Sequence, residues 1–268
     1  MSSVIKLCVV RNESNPFRKL ATRKRNDRIP GNVFCLGFNH FKKNTALQLF
    51  PLSKYRTDLY KTLDDFVLDD KLILQRENER PSVKCPRSMR IIYDLMCTLL
   101  DLAYKNKPID RFWFLENIAR MPYVSYVAVL HLYETLGWWY VDEDIKREHV
   151  EQEANETHHL SIMYSLYGDR FWWNQFVTRH VAILYYVLLV VLFMLSPKTA
   201  YLSSELLEMH AYDTYFEFAQ QNKRKLQKLA PTYAAIQYMP RAINMYDVFS
   251  QIAEDEREHA SDMQKIRK

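Results

Sequence analysis

Residues 155–163 read NETHHLSIM and residues 254–263 read EDEREHASDM. Each carries a glutamate followed three residues later by a histidine, Glu156–His159 and Glu256–His259, and the chain has no third E-x-x-H. On a helix this i, i+3 spacing puts both side chains on one face. A di-iron carboxylate bundle takes such a pair from each of two helices and a lone glutamate from each of two others. A single E-x-x-H on an acidic helix is more often a solvated face than a ligand pair. Two of them, 100 residues apart and interleaved with lone glutamates among mostly apolar neighbours, carry far more weight. The helical segment before each supplies one: Glu116 in FLENIA and Glu208 in LLEMHAYDTY. The order Glu, E-x-x-H, Glu, E-x-x-H is that of two antiparallel helix pairs meeting at one site. Glu134, in LYETLGWWY, competes with Glu116. The two stand five turns and about 27 Å apart along the axis, so only one reaches the site, and spacing does not choose.

Outward from these motifs the chain is helical. Apolar residues at Met89, Ile92, Met96, Leu99 and Ala103 mark one face of a helix over residues 88–104. Further helices are predicted over 111–139, with a kink at Pro122, and over 150–167, 172–195, 198–225 and 243–268. No useful length alternates with period two, so the architecture is all-α. Residues 51–86 read as an irregular connecting segment with a short helical piece at 63–74. Val181 to Leu195, VAILYYVLLVVLFML, is apolar without a break. It falls short of the roughly 20 residues of a spanning helix, which leaves a buried core helix or one lying in a membrane interface beside the apolar face of 88–104.

Composition excludes several classes. The four glycines, Gly31, Gly37, Gly137 and Gly168, can write neither a dinucleotide fingerprint nor a P-loop. Cys8, Cys35, Cys85 and Cys97 form no C-x-x-C, which argues against zinc ribbons, iron–sulfur ligation and covalent haem. Any redox metal therefore falls to carboxylates and histidines. Nothing in the sequence points to nucleic acid. Residues 1–50 hold ten Lys/Arg against Glu13 and Asp27, while the remainder holds 27 basic and 30 acidic residues. Such a leader, with Arg23-Lys24-Arg25, reads as targeting-derived, or as a solvated basic arm touching anionic lipid or a partner. The di-iron domain is assigned to residues 87–268.

RFWFLENIARMPY, NETHHLSIM, LEMHAYDTY and EDEREHASDM resemble the four iron-ligand motifs of the alternative oxidase family, and the wording is closer to its plastid terminal oxidase branch. The likeness runs from about Arg87 to Met263. It implies a ferritin-like four-helix bundle with two additional apolar, membrane-facing helices. It also implies two iron ions held by Glu116, Glu156, His159, Glu208, Glu256 and His259, with Glu156 and Glu256 bridging. It selects Glu116 over Glu134, which becomes a solvated or salt-bridged helix-end residue. Arg90, Asp94, Arg111, Leu115, Ala211 and Thr214 match the family's quinol pocket, Tyr215 its tyrosine beside the irons, and Asn155 and Asp255 polar partners of the two histidines. On spacing alone, Arg90 and Asp94 are an ordinary i, i+4 helix pair. One departure stands out: the family usually has Leu-Glu-Thr where this chain has Leu115-Glu116-Asn117.

The implied activity is oxidation of ubiquinol or plastoquinol by O2, which becomes water without proton pumping. The implied setting is one leaflet of an organelle membrane, the mitochondrial inner membrane or the thylakoid, as a homodimer or within a larger membrane complex. A quinol arriving from lipid gives the Val181–Leu195 helix a purpose. The rivals are a di-iron hydroxylase or desaturase, which shares the ligand set, and a catalytically silent oxidase-like scaffold.

Overall fold

Asp69, Asp142, Ser196, Thr232 and Asn244 set where five of the helices begin, each accepting a backbone N–H of the first turn through its side chain. The computed structural model describes residues 65–81 and 83–268, all within one compact unit, Lys54–Lys268. The basic leader and residues 51–64 of the connecting segment lie outside the described residues. Those described form α1 (Asp70–Glu79), α2 (Arg87–Ala103), α3 (Pro108–Thr135), α4 (Glu143–Ser165) and α5 (Trp172–Leu195). They continue as α6 (Pro197–Gln221), α7 (Lys223–Leu226), α8 (Tyr233–Tyr238) and α9 (Met245–Arg267). No strand occurs among them.

Four of these make the bundle. Contacts running from Trp113–Tyr164 at one end to Glu134–Lys146 at the other make α3 and α4 antiparallel. Gln220–Tyr246 and Glu205–Arg267 do the same for α6 and α9. One core lies below the site, where Phe112, Tyr215, Phe218 and Phe249 pack ring on ring. A second, around Tyr126, Phe193 and Tyr201, closes the other end. The charged centre sits between them.

Several boundaries differ from the sequence reading. The short helix expected at 63–74 is Asp70–Glu79, because Asp69 caps it and the preceding Phe66 is drawn out to pack edge-on against Phe218. α4 starts seven residues earlier than expected, since Asp142 caps a first turn holding Glu143 and Asp144, where carboxylates suit the helix dipole. α6 stops at Gln221, where the Asn222 side chain grips both the N–H and the C=O of Val67. α3, with Pro122 inside it, starts at Pro108, three residues before the expected 111, and ends at Thr135, four before 139.

α2 and α5 stand outside the bundle. α5 runs alongside α3, Met194 O accepting from Tyr133 near its end, while Asn174 near its start accepts from Tyr104, the residue that caps the end of α2. Only Asn174, Thr178, Leu189 and Phe193 of its 24 residues are buried, so it is not a core helix. Among the described residues it is the one helix long and apolar enough to cross a membrane, by length and composition. On α2 only Tyr93 is buried, while Ile91, Ile92, Leu95, Leu99 and Leu102 are exposed.

Candidate metal centre

The i, i+3 pairs of α4 and α9 face each other across the bundle, and the lone glutamates of α3 and α6 close the remaining sides. Two overlapping groups of donor atoms result, each with all members within 4.8 Å of one another. One is Glu116, Glu156, His159 and Glu256; the other is Glu156, Glu208, Glu256 and His259. Glu156 and Glu256 belong to both. His159 Nδ1 lies 3.3 Å from Glu256, 3.7 Å from Glu116 and 3.8 Å from Glu156. His259 Nδ1 lies 2.8 Å from Glu156 and 3.9 Å from Glu256. All six side chains are buried. Glu134 is elsewhere, paired with Lys146 at 2.7 Å.

Hydrogen bonding does not account for this arrangement. Glu116 Oε2, both oxygens of Glu156, Glu256 Oε2 and the Nδ1 atoms of His159 and His259 are buried without a hydrogen-bond partner. A buried polar atom without a hydrogen bond costs about 1–3 kcal/mol, and the ion-pair contacts among these six offset only part of that, so the two groups need something to bind. Carboxylate oxygens with imidazole nitrogens suit iron. The donor set therefore fits two iron ions, one for each group, with Glu156 and Glu256 shared.

Protonation follows the same logic. Burial, and then the charge on Glu156, raises Glu116, Glu208 and Glu256 above the ordinary carboxylate range. Burial alone would raise Glu156 too, but His159 and His259 beside it outweigh burial and hold it low. Burial works against a charged His159, yet Asp255, Glu156 and Glu256 push it well above an ordinary histidine. Protons thus balance charge that metal cations would otherwise balance, and metal binding releases them.

The surrounding shell orients the donors. Tyr215 donates to Glu116 and stacks on Phe112, and Tyr123 donates to Glu208 at 2.7 Å. Burial and the adjacent glutamates push both phenols up, so they stay protonated donors. His159 donates its outer Nε2–H to Asp255 at 3.1 Å, which aims Nδ1 inward. Asn155 lies with His259 in one shallow depression, but its Oδ1 has no partner and no hydrogen bond joins the two. Asn117 turns back along its own helix and donates to Trp113 O.

The residues matched to a quinol pocket divide. Buried Arg111 donates to Asp70 and contacts Asp101, both at 2.8 Å, and lies 3.3 Å from His210 Nε2. Thr214 donates to His210 O, and Ala211 is the next residue along. Leu115 packs on the core one turn from Arg111. Arg90 does not pair with Asp94, which is exposed; its guanidinium lies over Tyr93, whose ring sits edge-on to His210. Arg111, Thr214, Ala211 and, through Tyr93, Arg90 gather around His210, while Asp94 does not.

A family model described as alternative oxidase matches residues 71–267. The chain belongs to the alternative oxidase family. Ubiquinol oxidase 4, chloroplastic/chromoplastic, of Arabidopsis thaliana is 37% identical over 191 residues, covering 63% of this chain and 54% of that protein. Ubiquinol oxidase 2, mitochondrial, of Glycine max is 28% identical over 167 residues, covering 59% and 48%. The higher identity to the plastid protein agrees with the plastid-branch wording of the motifs. The chain spans about half the length of the curated relatives it matches. The alternative oxidase match begins at residue 71, ahead of Arg87, and so takes in most of α1.

Several of this alternative oxidase chain's site residues escaped the sequence reading. Tyr123 follows Glu116 by two turns and shares its face, a usable signal. His210 sits inside a quoted motif. Glu77, which accepts from both His210 and Tyr93, had no signal, since its segment read as irregular.

Proposed function

We propose that the chain is a di-iron quinol oxidase, oxidising ubiquinol or plastoquinol with O2 at an organelle membrane, plastid thylakoid or mitochondrial inner membrane. The observation that carries it is the convergence, inside a buried bundle, of two overlapping carboxylate–imidazole groups with six donor atoms that make no hydrogen bond. Glu116, Glu156 and His159 with Glu256 would hold one iron, and Glu208 and His259 with the two shared glutamates the other. When bound, the metal pair supplies O2 binding and electron transfer. The balance is two quinols to two quinones, releasing four electrons and four protons, with one O2 reduced to two waters. No proton pumping is part of the reading.

The chain's own residues supply position and protons. Tyr215, hydrogen-bonded to Glu116, stands where it can give up a proton to that carboxylate as it gives up an electron. Arg111 and Thr214, joined at His210 one to two turns from Glu208, offer polar groups to a quinol head entering from lipid. Asp255 and Tyr123 keep His159 and Glu208 in their rotamers. α2 and α5 turn exposed apolar faces outward, which supports association with a membrane; docking in one leaflet, as a homodimer or within a larger membrane complex, is the remainder of the proposal.

Purified iron-replete protein in lipid should hold two irons per chain and consume O2 with a short-chain quinol. Glu256→Ala should lose both iron and activity, since it removes a donor common to both groups. Wild-type protein that holds iron yet consumes no oxygen with any quinol offered would overturn the oxidase in favour of a scaffold.

A further inference from the structure

α1 reaches Arg111 by two routes. Asp70, in its first turn, accepts from Arg111 Nη1 at 2.8 Å. Glu77 stands seven residues on, the spacing of one helix face, and touches the imidazole beside Arg111. Its Oε1 accepts from His210 Nδ1 at 2.6 Å, and His210 Nε2 lies 3.3 Å from Arg111 Nη2. The same Oε1 accepts from Tyr93 of α2 at 2.7 Å. Arg111 is 1% exposed, and with both Nη atoms engaged its Nε is a buried donor without a hydrogen-bond partner among the described residues.

The plain alternative is that Glu77 only fastens α1 to the bundle. Arg76 and Arg80 already do that, reaching Asp213 at 2.9 and 2.8 Å, and Ile73 is buried. Glu77 instead ends on a ring whose other nitrogen faces Arg111. An imidazole held at Nδ1 cannot turn. Released, it rotates away from Nη2 and leaves Arg111 with Asp70 and Asp101, both on Nη1. A guanidinium held at one nitrogen pivots about it, and the donors it offers to a quinol oxygen move with it.

We propose that Glu77 is a positioning residue for quinol oxidation, holding His210 so that the ring keeps the Arg111 guanidinium in place for the quinol head. The inference rests on the oxidase reading, in which Arg111 meets that head. It is tested on the full iron-replete chain in lipid nanodiscs, by oxygen uptake with a short-chain quinol, reading quinol KM, oxygen KM, kcat and iron content together. Glu77→Ala should raise the quinol KM about tenfold, as expected for one lost hydrogen bond beside a charged group. Iron should stay at two per chain, and kcat and the oxygen KM should hold. A merely loosened fold would instead lower the active fraction, and with it kcat. Glu77→Gln keeps an oxygen for the Nδ1–H and should return the quinol KM to the wild-type value. His210→Phe should raise that KM as far as Glu77→Ala does, and combining the two should raise it no further. An unchanged quinol KM in Glu77→Ala overturns the proposal, as does a fall in kcat or iron without a rise in KM. So do a Glu77→Gln variant that behaves like Glu77→Ala and a further rise in the double variant. Wild-type protein that holds iron but oxidises no quinol overturns the oxidase reading, and this proposal with it.

Discussion

At the scale of single residues, the buried titratable groups differ in what holds them. His149 has no charged partner among the described residues: burial lowers it to about 4, Gln152 beside it offsets only part of that, and its Nε2 meets Tyr201 Oη at 2.9 Å. Its folded pKa is below the unfolded value, so its contribution is complete above pH about 6.5 and declines as pH falls toward 4. The full loss is about 3 kcal/mol, and thermal midpoints between pH 7.5 and 5 should fall more steeply for wild type than for His149→Gln. Arg111 is the opposite case, a buried cation held by Asp70 and Asp101. Arg111→Ala should cost about 2–3 kcal/mol in denaturant unfolding, less than for a fully buried pair because both carboxylates are about one-third exposed. It should keep two irons while quinol-dependent oxygen uptake falls, the reverse of the metal loss expected of Glu256→Ala.

At the scale of elements, the turn between α4 and α5 fixes how closely α3 approaches them. A Cβ on Gly168 would collide with Trp113 Cβ and come within 3.0 Å of Ile109 O. Gly168→Ala should therefore destabilise by about 1–3 kcal/mol through overpacking, and iron should be lost sooner on heating because Trp113 lies one turn before Glu116. Gly137, at φ +67° with open space around its Cβ position, should cost less on the same change, through backbone strain alone. The bundle helices were legible because burial on one face writes a 3.6-residue period, and the E-x-x-H pairs because ligand geometry fixes spacing. The bounds of α1 were not, since what holds it is distant: Arg76 and Arg80 on Asp213, and Glu77 on His210. Periodicity cannot report an ion pair more than a hundred residues away. Nor could it settle Glu116 against Glu134, which differ in what surrounds them and not in pattern.

At the scale of the whole molecule, exposed apolar surface gathers on α2 and α5. Leu184 and Leu188 are 61% and 57% exposed, and each side chain moved from water into lipid contributes about 1.5–3 kcal/mol. Leu184→Asp with Leu188→Asp should move the protein from floating vesicles to the soluble fraction, with two irons still bound. Labelling from both sides of sealed vesicles checks the single-leaflet placement, which access to the two termini from opposite sides would overturn. A last consequence comes from the charged centre between the two aromatic cores. Where most bundles keep leucine, this one keeps four carboxylates and two imidazoles, so iron completes the fold. Iron at a hundred times its dissociation constant adds about 2.7 kcal/mol per site, a contribution that starvation withdraws. Iron-poor chains then open more often and meet proteases sooner. The abundance of the protein becomes a gauge of the iron around it, set by turnover before any gene responds.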